Sequence, residues 1–477
     1  MLKKINLGHI LLVSVALRVV AAFYLGDSVV PLPGTHDQVS YHNLALRVLD
    51  GHGFTFDQDW WPLTAAGAPT AHWSYLYTLY LVAVYALFGP HPLIARLIQA
   101  IAVGLLQPYL AHRIAKQAFG VRSTAAELEP NTSVGNASSS SPLSAPTEQS
   151  IPLIAAGITA VYSYFIYYAA TLMTEPFFIV ALMGTLLLAI ILAFRIDQPR
   201  YQIWSVGFGL AMSITVLLRQ LFLLLVPLIL LWLLLSMYAA RRSLQKGIIA
   251  VVTCLTILAL SILPFTLFNY SRFDSFVLLN TNSGYVLFWA NHPIYGTEFK
   301  SASEMGNSYG ELIPPELRQL DEAALDRALL QRGIEFIVAE PGRYALLSLS
   351  RIPEYFKFWP ESTSSKISNI ARVGSWGIFL PFILYGLVLS WIRLRRTPHK
   401  RWLALVGSPT ALLYLFVGAY STIHLLTWSQ VRYRVPVDAI LVLFAALALA
   451  HIAEWIVKVR KDARGKRGAS EHSLATD

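Results

Sequence analysis

The chain has one cysteine, Cys254, and it sits inside an apolar run, so no disulfide framework holds the fold together. Charge is scarce as well: Asp, Glu, Lys and Arg make up 13% of the 477 residues. There is no His-Glu-x-x-His zinc motif, no Gly-x-Ser-x-Gly elbow and no phosphate-binding glycine loop, which argues against a cytosolic nucleotide site or a soluble hydrolase. No internal repeat is visible. The net charge of +10 nominally suggests nucleic acid. The Lys and Arg residues, however, cluster in short loops between apolar runs, without a basic groove or zinc-finger spacing. They read as a topology signal, and no nucleic-acid partner is expected.

What the chain does have is apolar length. With 55% hydrophobic residues and a mean hydropathy of +0.53 it reads as an all-α polytopic membrane protein. Crossing 30 Å of hydrocarbon takes about 20 residues. Runs of that kind cover Ile10–Leu25, Leu93–Ile114, Ile151–Leu172, Pro176–Phe194, Ile203–Leu218, Leu221–Ala239 and Ile248–Phe268. They resume at Gly374–Ile392, Trp402–Thr427 and Val435–Val457, about ten spans in all. Lys3 and Lys4 precede the first run without a clear small-residue cleavage site, so it reads as a retained span.

The basic clusters fall at Arg113/Lys116/Arg122, Arg195/Arg200, Arg241/Arg242/Lys246, Arg393–Arg401 and Lys458–Arg467. All of them reach the cytoplasm if the Tyr-rich segment Trp73–Phe88 lies in the outer interface instead of crossing. An ordinary short span remains the alternative, since tilt and bilayer thinning absorb mismatch. The interfacial reading divides the chain into a membrane module over 1–268, an outer lobe over 269–373 and C-terminal helices with a basic tail over 374–477. Within the first unit lie an outer loop, 26–92, and a Ser/Pro/Thr-rich cytoplasmic linker, 123–150, expected to be disordered. In the lobe, Asp321–Val338 reads as an amphipathic helix, interrupted by Pro341 before Tyr344–Phe358.

This topology puts Asp37, Glu175, Arg219 and Arg432 on the outer side. A carboxylate kept near hydrocarbon is a functional-site hypothesis by default. Each has a bland alternative. Asp37 precedes an apolar-periodic helix and serves equally as its N-cap. Glu175, followed by Pro176, suits a helix dipole. Arg219 either snorkels to the interface or binds phosphate with its guanidinium fork, and Arg432 and Arg434 carry the same two readings. Arg18 and His72 are weaker candidates.

Several local sequences resemble the GT-C membrane glycosyltransferases, most of all glycosyltransferase family 39-like proteins, which include protein O-mannosyltransferases and bacterial aminoarabinose transferases. The resemblance rests on Asp37 with Tyr41 and Leu44-Ala45, then Gly51-x-Gly53-Phe54, Leu87-Phe88-Gly89, Thr174-Glu175-Pro176, Leu218-Arg219 and Arg432-Tyr433-Arg434-Val435-Pro436. It spans nearly the whole chain, and the order and spacing of the motifs carry it. Two positions depart from the pattern: Gln38 stands where many relatives have a second acid, and Ala71-His72-Trp73 stands where bacterial relatives often have Lys-Pro-Pro.

The resemblance implies a GT-C fold with an interfacial helix in the first outer loop and a small outer lobe. It implies an inverting transferase of the cytoplasmic (inner) membrane, acting on its outer side, that moves a sugar from a polyprenyl-phosphate donor to an acceptor hydroxyl on protein, lipid or glycan. Asp37 and Glu175 are then the catalytic acids, and Arg219, Arg432, Arg434, His72 and Tyr41 the substrate-binding set. No cofactor is expected, and a monophosphate leaving group needs no metal. A flippase for lipid-linked sugars or an oligosaccharide polymerase or ligase is the alternative. Transporters favour inverted repeats and midplane acids, and this chain shows neither.

The topology has a direct check. Cysteines placed at Ser138 and Ser303 in a Cys254→Ser background are expected on opposite membrane faces, so an impermeant thiol reagent applied to intact cells should label the Ser303 site alone. Labelling at Ser138 would overturn the assignment.

Overall fold

The computed structural model describes residues 6–32, 34–120, 145–300, 308–360, 362, 365–396 and 402–474. Among these residues the architecture is helical, with isolated bridges at Thr55–Pro69 and Trp60–Thr64 in place of a sheet. Helix α1 (Leu7–Leu25) leads through a loop to α2 (Asp37–Leu49), α3 (Tyr75–Phe88) and α4 (Pro92–Phe119). Then come α5 (Ala145–Val161), α6 (Ser163–Ala170), α7 (Glu175–Arg195), α8 (Tyr201–Leu218), α9 (Val226–Ala239) and α10 (Leu244–Phe273). The lobe holds α11 (Ser283–Asn291), α12 (Glu322–Ala339), α13 (Pro341–Tyr355) and α14 (Lys366–Arg372). The chain returns through α15 (Ile378–Arg396), α16 (Trp402–Val406), α17 (Pro409–Leu426) and α18 (Val431–Leu474).

Nine helices among the described residues are long and apolar enough to cross a membrane, and α5 with α6 makes a tenth if that bent pair is one span. This is the multi-pass bundle expected from hydropathy. Helix α3 has 14 residues, about 21 Å at 1.5 Å per residue, and so falls short of the hydrocarbon thickness. It starts at Ser74, whose side chain accepts from the Tyr77 amide, and ends at Gly89 with φ near 82°, a backbone angle that excludes most side chains.

The run expected as one span over Ile151–Leu172 is broken at Tyr162, where the axis turns by 52°. Arg18, the charge inside the first span, is the reason the break is tolerated. Its guanidinium is fully buried and donates to the carbonyls of Thr159 and Ala160, each at 3.1 Å, and to Ser14 Oγ at 2.6 Å. Carbonyls orphaned at a helix end inside a membrane need a donor, and Arg18 supplies it. The expected linker is also shorter than its composition indicates. Residues 145–150 already belong to α5, and Glu148 pairs with Arg393 of α15 at 2.6 Å, both side chains being 10% exposed or less. The rest of the linker and its sequons at Asn131 and Asn136 lie outside the described residues.

The bundle packs α1 on α4 and α5, α4 on α5 and α7, α7 on α8, α8 on α10, and α15 and α5 on α18. Without a hydrophobic drive between helices in lipid, close backbone approach matters. At Gly386 of α15 a Cβ would stand 1.9 Å from the Phe444 carbonyl oxygen of α18.

The lobe is organised by two carboxylates of α12. Asp321 caps that helix through the Ala324 amide, as the sequence indicates. One turn later Asp326 accepts from the Gly284 amide at 2.8 Å and the Ser283 hydroxyl at 3.3 Å, so it caps α11 from across the lobe. Gly284 must be glycine: a Cβ there would lie 1.8 Å from the Asp326 carbonyl oxygen. Glu322 ties the lobe to the loop between α2 and α3. It accepts from the Ala71 amide at 2.7 Å, from Thr64 Oγ1 at 3.0 Å and from Thr281 Oγ1.

Burial, set against hydrogen bonds from Gly284, Tyr285 and Ser283, raises the Asp326 carboxyl from the ordinary carboxylate range to about 6. A raised acid favours the folded lobe in its neutral form. That contribution is complete below the unfolded value near 3.8 and is lost as pH rises through about 6. Protease resistance of the lobe is therefore expected to fall between pH 4 and pH 7, and Asp326→Asn should flatten that slope. An unchanged slope in the variant would sink the assignment.

Candidate active site

The described helices bring four charged side chains from four helix ends to one end of the bundle. Asp37 is the first residue of α2, Glu175 the first of α7, Arg219 follows α8 directly, and Arg432 lies in the first turn of α18. Asp37 is not the N-cap that its position allows. His36 occupies that place, and Asp37 Oδ2 instead accepts from Arg432 Nη1 at 2.7 Å, across 395 positions of sequence.

The second pair is Glu175 with Arg219. Arg219 Nη2 donates to Glu175 Oε1, and its Nε reaches Thr174 Oγ1 at 3.3 Å. The two pairs differ in burial: Glu175 is 0% exposed and its arginine 16%, whereas Asp37 is 25% exposed and its arginine 16%.

Tyr433 joins the pairs. Its ring lies 5.7 Å from the Arg219 guanidinium carbon and 4.9 Å from that of Arg432, and its hydroxyl accepts from Arg432 Nη2 at 2.9 Å. Two guanidinium groups thus share one aromatic ring. His424 of α17 stacks on the same ring at 4.8 Å with an interplanar angle of 6°. Phe178 lies 5.3 Å from the Arg219 guanidinium carbon. Neither Tyr433 nor His424 stands out in the sequence. Tyr433 is recoverable from its place in Arg432-Tyr433-Arg434, whereas a lone histidine in an apolar helix gives no such signal.

Tyr41 borders the cluster. It is buried in α2, edge-on to Trp73 at 5.6 Å and Tyr77 at 4.9 Å. Burial first, then the negative charge of Asp37, pushes its hydroxyl above the ordinary tyrosine range, so it remains a proton-bearing donor. His72 is buried in an aromatic wall with Trp61, Trp73 and Tyr285, and its Nδ1 lies 3.1 Å from the Thr281 carbonyl oxygen. Burial lowers its pKa, outweighing the nearby Glu322, which holds the ring neutral.

Arg434 is not brought to the cluster. Fully buried, it pairs with Asp438 at 3.0 Å, donates to the Tyr355 carbonyl at 2.8 Å and covers Trp376 at 4.0 Å. Arg18 is likewise committed to the span break. Gln38, which stands in place of an acid, is also buried. It gives its amide to the Val30 carbonyl and takes a hydrogen bond from Arg96 at 3.3 Å. Among the described residues no group of three or more His, Cys, Asp or Glu side chains is placed to hold a metal ion.

Removing Arg219 alone leaves Glu175 charged and buried, a loss worth about 3–5 kcal/mol. Arg219→Ala is therefore expected to lower the melting temperature in detergent sharply, and Arg219→Ala/Glu175→Gln to recover most of it. A double variant no more stable than the single would show that the pair is not what the fold depends on there.

No family model matches the chain, and no curated protein matches it. Solved structures do. The archaeal oligosaccharyltransferase AglB from Archaeoglobus fulgidus, in complex with an inhibitory peptide and a dolichol-phosphate, superposes on 97% of this chain at 14% identity with a TM-score of 0.57. An Archaeoglobus fulgidus oligosaccharyltransferase in the apo form superposes on 96% of this chain at 15% identity with a TM-score of 0.56. The chain spans about half the length of these structures, 52% in the first case and 51% in the second. ArnT from Cupriavidus metallidurans, bound to undecaprenyl phosphate, covers 93% of this chain and 78% of its own at 15% identity, but with a TM-score of 0.32 the overlap is too loose to argue from. At these identities the likeness is one of fold: the chain has the GT-C architecture that its sequence motifs resemble.

Proposed function

We propose that this protein is an inverting glycosyltransferase that uses a polyprenyl-phosphate monosaccharide and acts on the outer side of the cytoplasmic membrane. One observation carries the reading: two guanidinium groups share the Tyr433 ring, one of them paired with the Asp37 carboxylate, at one end of a GT-C bundle where helix ends converge.

Asp37 is the general base. It takes the proton of the acceptor hydroxyl as that oxygen attacks the anomeric carbon. The carbon–oxygen bond to phosphate then breaks on the opposite face, with its electron pair going to the phosphate. Positioning and partial exclusion of water supply what a carboxylate lacks as a base. Arg219 and Arg432 stabilise the charge that develops on the leaving phosphate. Glu175, buried against Arg219, holds that guanidinium in place. Tyr41 and His72 line the acceptor side, and Arg434 fixes α18 behind Arg432.

The AglB likeness favours a second reading, transfer of an oligosaccharide from a lipid carrier, and the lipid consumed separates the two. With purified protein and a polyprenyl-phosphate sugar, Asp37→Asn is expected to reduce turnover by roughly 10²–10⁴-fold. Near-normal turnover in that variant would end the case for Asp37 as base.

A further inference from the structure

Asp37 and the donor phosphate both require the same guanidinium. We propose that they compete for it: the lipid phosphate displaces Asp37 from Arg432, and only then is the carboxylate free to meet an acceptor hydroxyl. This rests on the donor class proposed above and adds an order of events to it, with donor first and base second.

Three features support the exchange. The Asp37–Arg432 pair is the more exposed of the two, so an incoming anion can reach it, while Glu175 is sealed against Arg219. Arg432 is under-satisfied as it stands. Its Nη1 serves Asp37 and its Nη2 serves Tyr433, but its Nε is buried without an acceptor. It also lies in the first turn of α18, where there is no acidic residue and the helix dipole opposes a cation, so an anion must come from elsewhere. In this structure Asp37 provides it. A phosphate offers more acceptor oxygens than one carboxylate, and its geometry matches a guanidinium fork.

The charge balance fits the same order. Arg219, Arg432, Asp37 and Glu175 sum to zero, and a donor phosphodiester adds one negative charge. During transfer the acceptor proton passes to Asp37, which becomes neutral, while the departing phosphate gains one negative charge. The total is unchanged, and Arg432 follows the charge from carboxylate to phosphate. A cation shared in this way requires no charge to be created in a low-dielectric site.

The test is binding, not turnover. Purified protein in nanodiscs is titrated with undecaprenyl phosphate, and with inorganic phosphate in a second arm. Asp37→Asn and Asp37→Ser remove the competitor, so both are expected to tighten undecaprenyl phosphate binding by about five- to tenfold, the gain expected if Arg432 is free only a small fraction of the time. Inorganic phosphate should show the same relative gain at far weaker affinity, because the contest is for the headgroup. Arg432→Ala should erase the difference between Asp37 and its variants. Unchanged or weaker lipid binding in monodisperse Asp37→Asn and Asp37→Ser would overturn the competition, as would a gain confined to inorganic phosphate. The two proposals fail separately: normal turnover in Asp37→Asn removes the base and leaves the competition standing, whereas lost turnover with unchanged lipid affinity does the reverse.

Discussion

A fully buried carboxylate in a membrane bundle is the constraint on which the rest of the site depends. Glu175 has no exposed surface, and an isolated charge in that setting is untenable. Arg219 must therefore stay within reach, which fixes the end of α8 against the start of α7. Once Arg219 is fixed, Phe178 and Tyr433 pack around its guanidinium, and Tyr433 in turn sets where α18 begins. Such a pair adds little net stability over an apolar replacement. Its value lies in specifying one arrangement of helix ends.

Buried arginines do the same work elsewhere, with carbonyls as partners. Arg18 caps the broken span, Arg96 gathers the Gly26 and Ser28 carbonyls with Gln38, and Arg351 joins the Leu425 and Ala290 carbonyls with Asn291. Each takes backbone acceptors that water would satisfy in a soluble protein. Of the arginines weighed from sequence, Arg18 belongs to this scaffold, Arg434 combines backbone carbonyls with a buried acid, Asp438, and Arg219 and Arg432 pair with the acids of the cluster. What separates the groups is the partner, not the residue type.

Partner identity is also where sequence reading stops. The spans are legible because hydrocarbon thickness imposes a length on every crossing helix, and hydropathy reports that length directly. The acids are legible because charge is so rare between apolar runs. Their partners are not: Arg432 lies 395 positions from Asp37, and no local pattern encodes the pairing. The same holds for Glu148 with Arg393, which extends α5 into a stretch whose composition reads as linker, and for Glu322, whose ligands come from Thr64, Ala71 and Thr281. The break at Tyr162 is hidden for a related reason. Its carbonyls are satisfied by an arginine more than a hundred positions away, so nothing in its own apolar run marks a bend.

The two acid–arginine pairs contain the same chemical groups and differ in access to solvent. Burial raises the cost of separating Glu175 from Arg219, because Glu175 has no water to fall back on. Asp37, a quarter exposed, keeps water as an alternative partner, so its ion pair is the less costly of the two to separate. A site that must hold its shape while exchanging one anion for another needs both kinds. The sealed pair keeps the aromatic ring and the first guanidinium in place. In the proposed exchange the open pair is the one that gives up its guanidinium, at the smaller cost.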